Sequence, residues 1–311
     1  MDGRGGARVR AEHGRACPVC GSEDEDRVLS EARVDPERLG AFAFASRKSP
    51  ELMHWRLLEC AACDTVYASP APSPDAVAAA YAAADFDTPV EAGFAAATYA
   101  RELARLADGL PSRAGALDVG TGDGAQLREL LRLGFSDVAG VEPSAAPIRA
   151  ADPAVRPLIH EGVFSAEGRT RGSLSLVTCM QTIEHVPDPL ALCRDAAALL
   201  RPGGLLVLVC HDRRAPVNRV LGERSPIFDV EHLQLLSRRS VRTLLQRAGL
   251  SDVGVRAIRN RYPLAYWTRL LPLPPRPKRA LLARLERSRL GAVPVTVPVG
   301  NLIAWGRHGA G

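Results

Sequence analysis

The chain has 311 residues, 46% of them hydrophobic and 24% charged, with a net charge of +5. This composition excludes a mostly disordered chain and a collagen-like or disulfide-knot scaffold, and no apolar run approaches the roughly 18–20 residues a membrane span needs. Met1 to Ala16 contain no apolar stretch, so no secretory signal is visible, and a reducing, cytoplasmic setting is the expectation.

In chain order, residues 1–15 are rich in Gly and Arg and are predicted to be a mobile tail. Four of the seven cysteines then come as two pairs, Cys17-Pro18-Val19-Cys20 and Cys60-Ala61-Ala62-Cys63. A C-x2-C turn brings two thiolates to one metal, and two such turns supply the four-sulfur tetrahedron that zinc prefers. Gly21 after the first pair suits a left-handed turn, and Asp64 after the second tolerates one. The alternatives are four free cysteines or one redox pair. With four thiolates used as ligands no position is left for a catalytic water, so the zinc is predicted to be structural. Cys179, Cys193 and Cys210 lie in apolar segments and read as core residues.

The ribbon is expected over 16–71, closed by a stiff linker at Ser69–Pro74, with a helical connector or lid over 72–112 built from helices at 75–84 and 94–109. From 113 the pattern changes. Strand-length apolar runs at 116–119, 138–141, 174–179 and 205–210 alternate with amphipathic helices at about 123–133, 188–200 and 237–248. That alternation predicts a parallel sheet covered on both faces, with 253–258 and 302–305 as its last strands.

The first of these strands runs into Leu117-Asp118-Val119-Gly120-Thr121-Gly122-Asp123-Gly124. Such a loop lets the backbone turn tightly and approach a ligand at a helix N-terminus. Glu142 ends the second strand about 20 residues on, where an acid binds ribose hydroxyls. Loop and acid together point to a nucleoside across the strand ends, and at this stage a dinucleotide remains an alternative. Three further details separate the two: Asp118 before the glycines; Gly124 two residues after Gly122 rather than three; and Thr182-Ile183-Glu184-His185-Val186-Pro187-Asp188-Pro189 followed by a helix and Leu200-Arg201-Pro202-Gly203-Gly204 leading into a strand.

With these motifs the sequence resembles class I S-adenosylmethionine-dependent methyltransferases of the ubiquinone-biosynthesis type, and the N-terminal ribbon resembles a zinc-binding domain fused to some of them. The resemblance implies an α/β, Rossmann-like seven-stranded sheet whose last strand is antiparallel, over residues 113–311. It implies S-adenosylmethionine as cofactor, with Asp118, Gly120, Gly122 and Gly124 at its methionine end, Glu142 on the ribose, Val163 or Phe164 over the adenine, and Met180 and Gln181 facing the sulfonium. The family's usual acid at the adenine turn is missing from His160-Glu161-Gly162-Val163-Phe164. By the same resemblance His232 ranks first as an acceptor-side catalytic residue and His185 second. His211 ranks lower, and Glu184 reads as a loop anchor.

Residues 253–290 hold ten Arg or Lys and one acid, Glu286, interleaved with Tyr262, Tyr266 and Trp267. An insertion at about 259–298 is expected over the strand ends, as a basic, aromatic lid for an anionic acceptor or as a solvated Arg face. The function expected is O-methylation of a small, anionic molecule in biosynthesis. C- or N-methylation, an RNA methyltransferase and a non-catalytic scaffold are the alternatives. Related sugar C-methyltransferases carry a further C-terminal domain, so the chain's end soon after its seventh strand weighs against that subtype. Nucleic acid is not the expected partner, because no RNA-binding motif accompanies the short basic run.

Overall fold

The computed structural model describes residues 11–23, 26–35, 43–44, 52–86, 89–271 and 273–309. The N-terminal part carries β1 (Ala11–His13), β2 (Arg27–Ser30), β3 (Leu57–Glu59), β4 (Val66–Ala68), β5 (Ala71–Pro72), α1 (Pro74–Ala82) and α2 (Pro89–Ala107). Then follow β6 (Ala114–Val119), α3 (Ala125–Arg132), β7 (Ser136–Glu142), α4 (Ala145–Ala150), β8 (Ile159–Glu161), β9 (Leu174–Met180), α5 (Pro189–Leu199) and β10 (Leu200–His211). The chain closes with α6 (Pro216–Leu221), β11 (Gln234–Leu235), α7 (Arg238–Arg247), β12 (Ser251–Pro263), α8 (Leu264–Leu270), α9 (Pro275–Glu286) and β13 (Pro294–Arg307).

One seven-stranded sheet dominates, in the order β12-β13-β10-β9-β6-β7-β8. β8, β7, β6, β9 and β10 run parallel, and β13 is antiparallel to both β10 and β12. The order reverses between β6 and β9, so a crevice opens at the C-terminal ends of these strands. β10 is central: Leu205 to Cys210 are all buried, because helices cover both faces of a parallel sheet and leave no side for alternating polar residues. Helix starts are fixed locally. Asp188 caps α5 by accepting from Ala191 N, with Pro189 at the first helical position, and Ser237 and Ser240 form a reciprocal capping box on α7.

A second sheet, β11-β4-β3-β2, is antiparallel throughout. Its fourth strand comes from the distant segment Gln234–Leu235, so the ribbon is sewn into the part of the chain that forms the large sheet. Its core joins Met53, Trp55 and Val66 to Val77 of α1 and to Ile227, Val230 and Leu233. α2 packs against α3 and β12, and so belongs to the large sandwich more than to a connector. The predicted tail needs correction over its described part. Ala11–His13 pairs with Ala71–Pro72 at the foot of the expected linker, and Arg15 is anchored by four acceptors, whereas residues 1–10 lie outside the described residues. The insertion is shorter than expected. β12 and β13 extend as a long pair, and only residues 264–293 form a helical excursion.

Candidate functional site

The cysteine pairs meet as the spacing predicts. Sγ of Cys17 lies 3.5 Å from that of Cys63, and Cys20 lies 3.5 Å from Cys60. All four ligand atoms fall within 4.8 Å of one another. Four zinc–sulfur bonds of about 2.3 Å in a tetrahedron put sulfurs about 3.8 Å apart, so the set fits that ion with small adjustment. Both knuckles turn through left-handed residues, Gly21 (φ 69) and Asp64 (φ 67). Asp64 costs more in that conformation than glycine, and the chain holds it with Arg213 and Arg214. Burial disfavours the Asp64 charge, yet these two guanidiniums hold its carboxyl down at about 2. They enter from the turn after β10 and tie the second knuckle to the large sheet.

At the strand ends a cavity of about 840 Å³ brings together Asp118, Gly120, Gly122, Glu142, Val163, Phe164, Met180, Gln181, His185 and His232. A Cβ on Gly120 would stand 2.3 Å from Thr182 Oγ1, at φ 74. Only glycine fits there. Gly124 is absent from the cavity lining. At φ 73 it starts α3, and a Cβ would stand 3.0 Å from Val155 and 3.2 Å from Ile159, so its role is close packing behind the loop. The Glu142 carboxylate accepts from Gly122 N at 2.9 Å and Ser144 N at 2.9 Å, which pins the loop against the second strand.

Both amide atoms of Gln126 are buried in this cradle with no partner, while the buried Gln181 amide faces Tyr99 and Thr121 Oγ1 faces Asp118, neither in good hydrogen-bond geometry. Buried polar atoms are nearly always satisfied, so these leave places for the polar groups of a ligand or for ordered water. Gln181 also has φ 54, a strained position for a non-glycine residue, at the end of β9. Asp118 accepts from Thr178 Oγ1 at 2.5 Å, and burial raises its carboxyl to about 7. The residues therefore fit a nucleoside-bearing cofactor with a cationic end.

Opposite this cradle three histidines cluster. His232 stands between His185 (ring centroids 4.8 Å) and His211 (5.3 Å). His185 Nδ1 meets Tyr81 Oη at 2.8 Å, His232 Nδ1 meets Ile227 O at 2.8 Å, and His211 Nδ1 meets Glu184 Oε1 at 3.0 Å. Burial first, and then His232, push His185 down to about 3; burial and then His211 lower His232. Glu184 does anchor the loop, since its carbonyl accepts from Leu233 N and Gln234 N. Its side chain does more, because it bonds both His211 Nδ1 and His211 N. Sequence reading ranked His211 below the other two because the partner that distinguishes it lies 27 positions away.

The aromatic part of the lid reaches the cavity: Tyr262 stacks on Tyr266 at 4.3 Å, with Trp267 edge-on at 5.3 Å. The basic part does not. Among the described residues no Lys or Arg lines the cavity, whereas nine Asp or Glu do. Arg256 pairs with Glu102, and Arg269 with Glu91 at 3.2 Å, both acids coming from α2. Of the two expectations for the insertion, a basic lid and a solvated Arg face, the second describes the structure: Arg259, Arg276, Arg279, Arg284, Arg287 and Arg289 are exposed, and α2 carboxylates hold Arg256 and Arg269. Sequence reading also missed Tyr81, Tyr99 and Gln126, whose Ala-rich or Leu-rich helices gave no signal beyond core packing.

A family model described as "Methyltransferase domain" matches residues 92–255. The chain belongs to this methyltransferase-domain family. Among curated relatives, the ubiquinone biosynthesis O-methyltransferase of Cupriavidus pinatubonensis is 37% identical over 108 residues, 31% of this chain and 42% of that protein. Its counterpart in Xanthomonas campestris is 38% identical over 104 residues, 31% of this chain and 43% of that protein. The chain thus spans less than half the length of these curated relatives. Among solved structures, an S-adenosylmethionine-dependent methyltransferase of Thermotoga maritima aligns at 19% identity and a TM-score of 0.46, over 70% of this chain and 91% of that one. A chain from the complex of the Haloferax volcanii Trm112 activator with a methyltransferase aligns at 20% identity and 0.48, over 71% and 91%.

Proposed function

We propose that the chain methylates a hydroxyl of a small, uncharged, largely apolar molecule, using S-adenosylmethionine, with a structural zinc ion in the ribbon. The observation that carries this is one cavity in which a glycine loop and the buried amides of Gln126 and Gln181 face three histidines and an aromatic wall. Gly120 and Gly122 admit the cofactor backbone-close, Glu142 takes the ribose, Asp118 the cationic end, and Val163 and Phe164 cover the adenine. Met180 and Gln181 stand at the strand end nearest the reacting centre. Bound S-adenosylmethionine supplies an electrophilic methyl group, its sulfur keeping the electron pair of the broken bond.

The chain's own task is to align the acceptor, exclude water and remove a proton, and positioning alone supplies much of the gain. His232 and His185 face the acceptor in this reading. α1 and the ribbon close the cavity from one side, through Phe44, Val77 and Tyr81. The curated relatives' name, an O-methyltransferase of ubiquinone biosynthesis, favours a hydroxyl over a carbon or nitrogen acceptor. No helix among the described residues is long and apolar enough to cross a membrane. The four reduced cysteines of the ribbon suit a cytoplasmic setting.

Two measurements test the reading. Calorimetry of the zinc-loaded protein gives one S-adenosylmethionine per chain, and a panel of phenols, amines and carboxylates incubated with labelled cofactor gives label on a hydroxyl oxygen. His232→Ala keeps the cofactor affinity and lowers turnover at least about tenfold. Absence of cofactor binding overturns the proposal in favour of a scaffold, label on nitrogen or carbon in favour of the other transferases, and salt-sensitive RNA labelling in favour of an RNA enzyme.

A further inference from the structure

We propose that His211, oriented by the buried Glu184, is the residue that removes the acceptor's hydroxyl proton, and that His232 and His185 position the acceptor beside it. The proposal rests on the hydroxyl-methylation reading above. It assigns the base to the histidine that sequence reasoning ranked lowest of the three.

The hydrogen bonds fix the tautomers. Ile227 O can only accept, so His232 Nδ1 carries a hydrogen and its Nε2 a lone pair. A carboxylate likewise only accepts, so His211 Nδ1 carries a hydrogen and its Nε2 is the free base. Both rings line the cavity, and His211 is the more open of the two: its side chain keeps 26% of its surface exposed, while His232 is buried. What separates the two rings is the group behind them. A carbonyl answers a newly formed imidazolium with a dipole; a carboxylate answers it with a full charge.

Glu184 is unusually committed to this task. Its side chain has no exposed surface, and burial opposes its ionisation, yet the bond from His211 and the nearby rings hold it ionised, at about 2. One oxygen takes both His211 N (2.6 Å) and His211 Nδ1 (3.0 Å), and the other, Oε2, has no partner. Among the described residues, the side-chain cation that can form within hydrogen-bond reach of this charge is His211. The surrounding groups point the same way. His185 comes from the β9–α5 loop, and Asp229, Glu231 and His232 from the loop before α7. Tyr81 comes from α1, Asp212 is the next residue in the chain, and Asn301 pairs with His211 from β13. Rings 4.8–5.3 Å apart repel one another when charged, and of the three His211 has the nearest carboxylate, 3.0 Å from Glu184 against 3.7 Å between His185 and Glu231.

In the step, the acceptor O–H bond breaks, an N–H bond forms at His211 Nε2, and the electron pair stays on the acceptor oxygen as nucleophile. Glu184 remains an anion and takes no proton; it keeps the ring oriented and stabilises the imidazolium.

The test needs no acceptor. Histidine-labelled, zinc-loaded full-length protein is followed by long-range proton–nitrogen NMR from pH 4 to 9, with ring signals assigned from His211→Gln and His232→Gln. The expected result is that His211 is the first of the three rings to gain a proton as pH falls, and that Glu184→Gln moves its midpoint down by about one pH unit or more. Should His232 protonate first, or the His211 midpoint stay fixed in Glu184→Gln, the assignment fails. The order of protonation in the unsubstituted protein decides the matter even where Glu184→Gln does not fold. A failure of the methyl-transfer reading shows separately, as a protein with this protonation order but no transfer to any hydroxyl of the panel. Where transfer occurs, His211→Gln lowers kcat at least about 100-fold with little change in KM, and Glu184→Gln shifts the pH profile.

Discussion

Arg15→Ala should loosen the loops that carry His185 and His232 although neither residue touches it. The Arg15 guanidinium reaches Pro187 O at 2.8 Å, Leu233 O at 2.7 Å and Ala68 O at 3.0 Å. Pro187 lies two residues after His185, and Leu233 directly follows His232. Hydrogen bonds from a charged donor contribute roughly 1.5–3 kcal/mol each. Leu233 O also accepts from Ala68 N at 2.9 Å, so its loss is softened, and burial of the cation, which lowers it to about 10, offsets part of the gain. A net loss of about 2–4 kcal/mol follows, a roughly 30- to 700-fold rise in the local opening constant at about 1.4 kcal/mol per tenfold. Hydrogen exchange read by mass spectrometry on peptides spanning 183–187 and 228–235 measures that opening. Arg15→Lys should recover less than half of the protection, because one ammonium cannot span three carbonyls set by a planar fork. Unchanged exchange in Arg15→Ala, or full recovery with lysine, would refute the reasoning.

Three further outcomes are expected. Because burial raises Asp118 to about 7, its charged form grows as pH rises from 6 to 8; binding of a cationic cofactor should strengthen over that range, and Asp118→Asn should flatten the dependence in calorimetry. Gly120→Ala, whose Cβ would stand 2.3 Å from Thr182 Oγ1, should reduce cofactor binding at least about 100-fold while circular dichroism keeps the native helix content. Elemental analysis should give one zinc per chain, lost in Cys60→Ser together with the near-ultraviolet signal of Trp55, which is buried in the ribbon core.

The parts of the fold that the sequence discloses are those written by neighbours along the chain. The glycine loop, the strand-length apolar runs of β6, β7, β9 and β10, the cap at Asp188 and the two cysteine knuckles each draw on fewer than ten consecutive residues. What stays hidden depends on distant partners. Gln234–Leu235 becomes a ribbon strand because Val66–Tyr67 offers it an edge, a pairing across about 170 residues that no local period announces. Arg15 sits in a Gly/Arg-rich stretch that reads as tail, and its anchoring is visible only once Pro187 and Leu233 are brought beside it. The histidines illustrate the same limit. Motif position ranks His232 above His211, whereas the chemistry of a base depends on what stands behind the ring, a carbonyl for one and a carboxylate for the other.

Charge shows most plainly how far composition reaches. The ten cations of 253–290 are a fact of the sequence, but which way they point is decided by the fold: six are exposed to solvent, and α2 holds Arg256 and Arg269 through Glu102 and Glu91. The cavity keeps nine acids and, among the described residues, no Lys or Arg. That field welcomes a cationic cofactor and penalises an anionic acceptor, since like charges within about 4–6 Å cost the second charge its ionisation or its binding. The stacked Tyr262 and Tyr266, with Trp267 against them, offer area to a flat apolar body instead. A matched pair of phenolic acceptors, one a free carboxylate and one its methyl ester, reads this directly: the ester should show at least about tenfold higher kcat/KM, and the reverse order would mean that an outer cation turns inward when the acceptor binds.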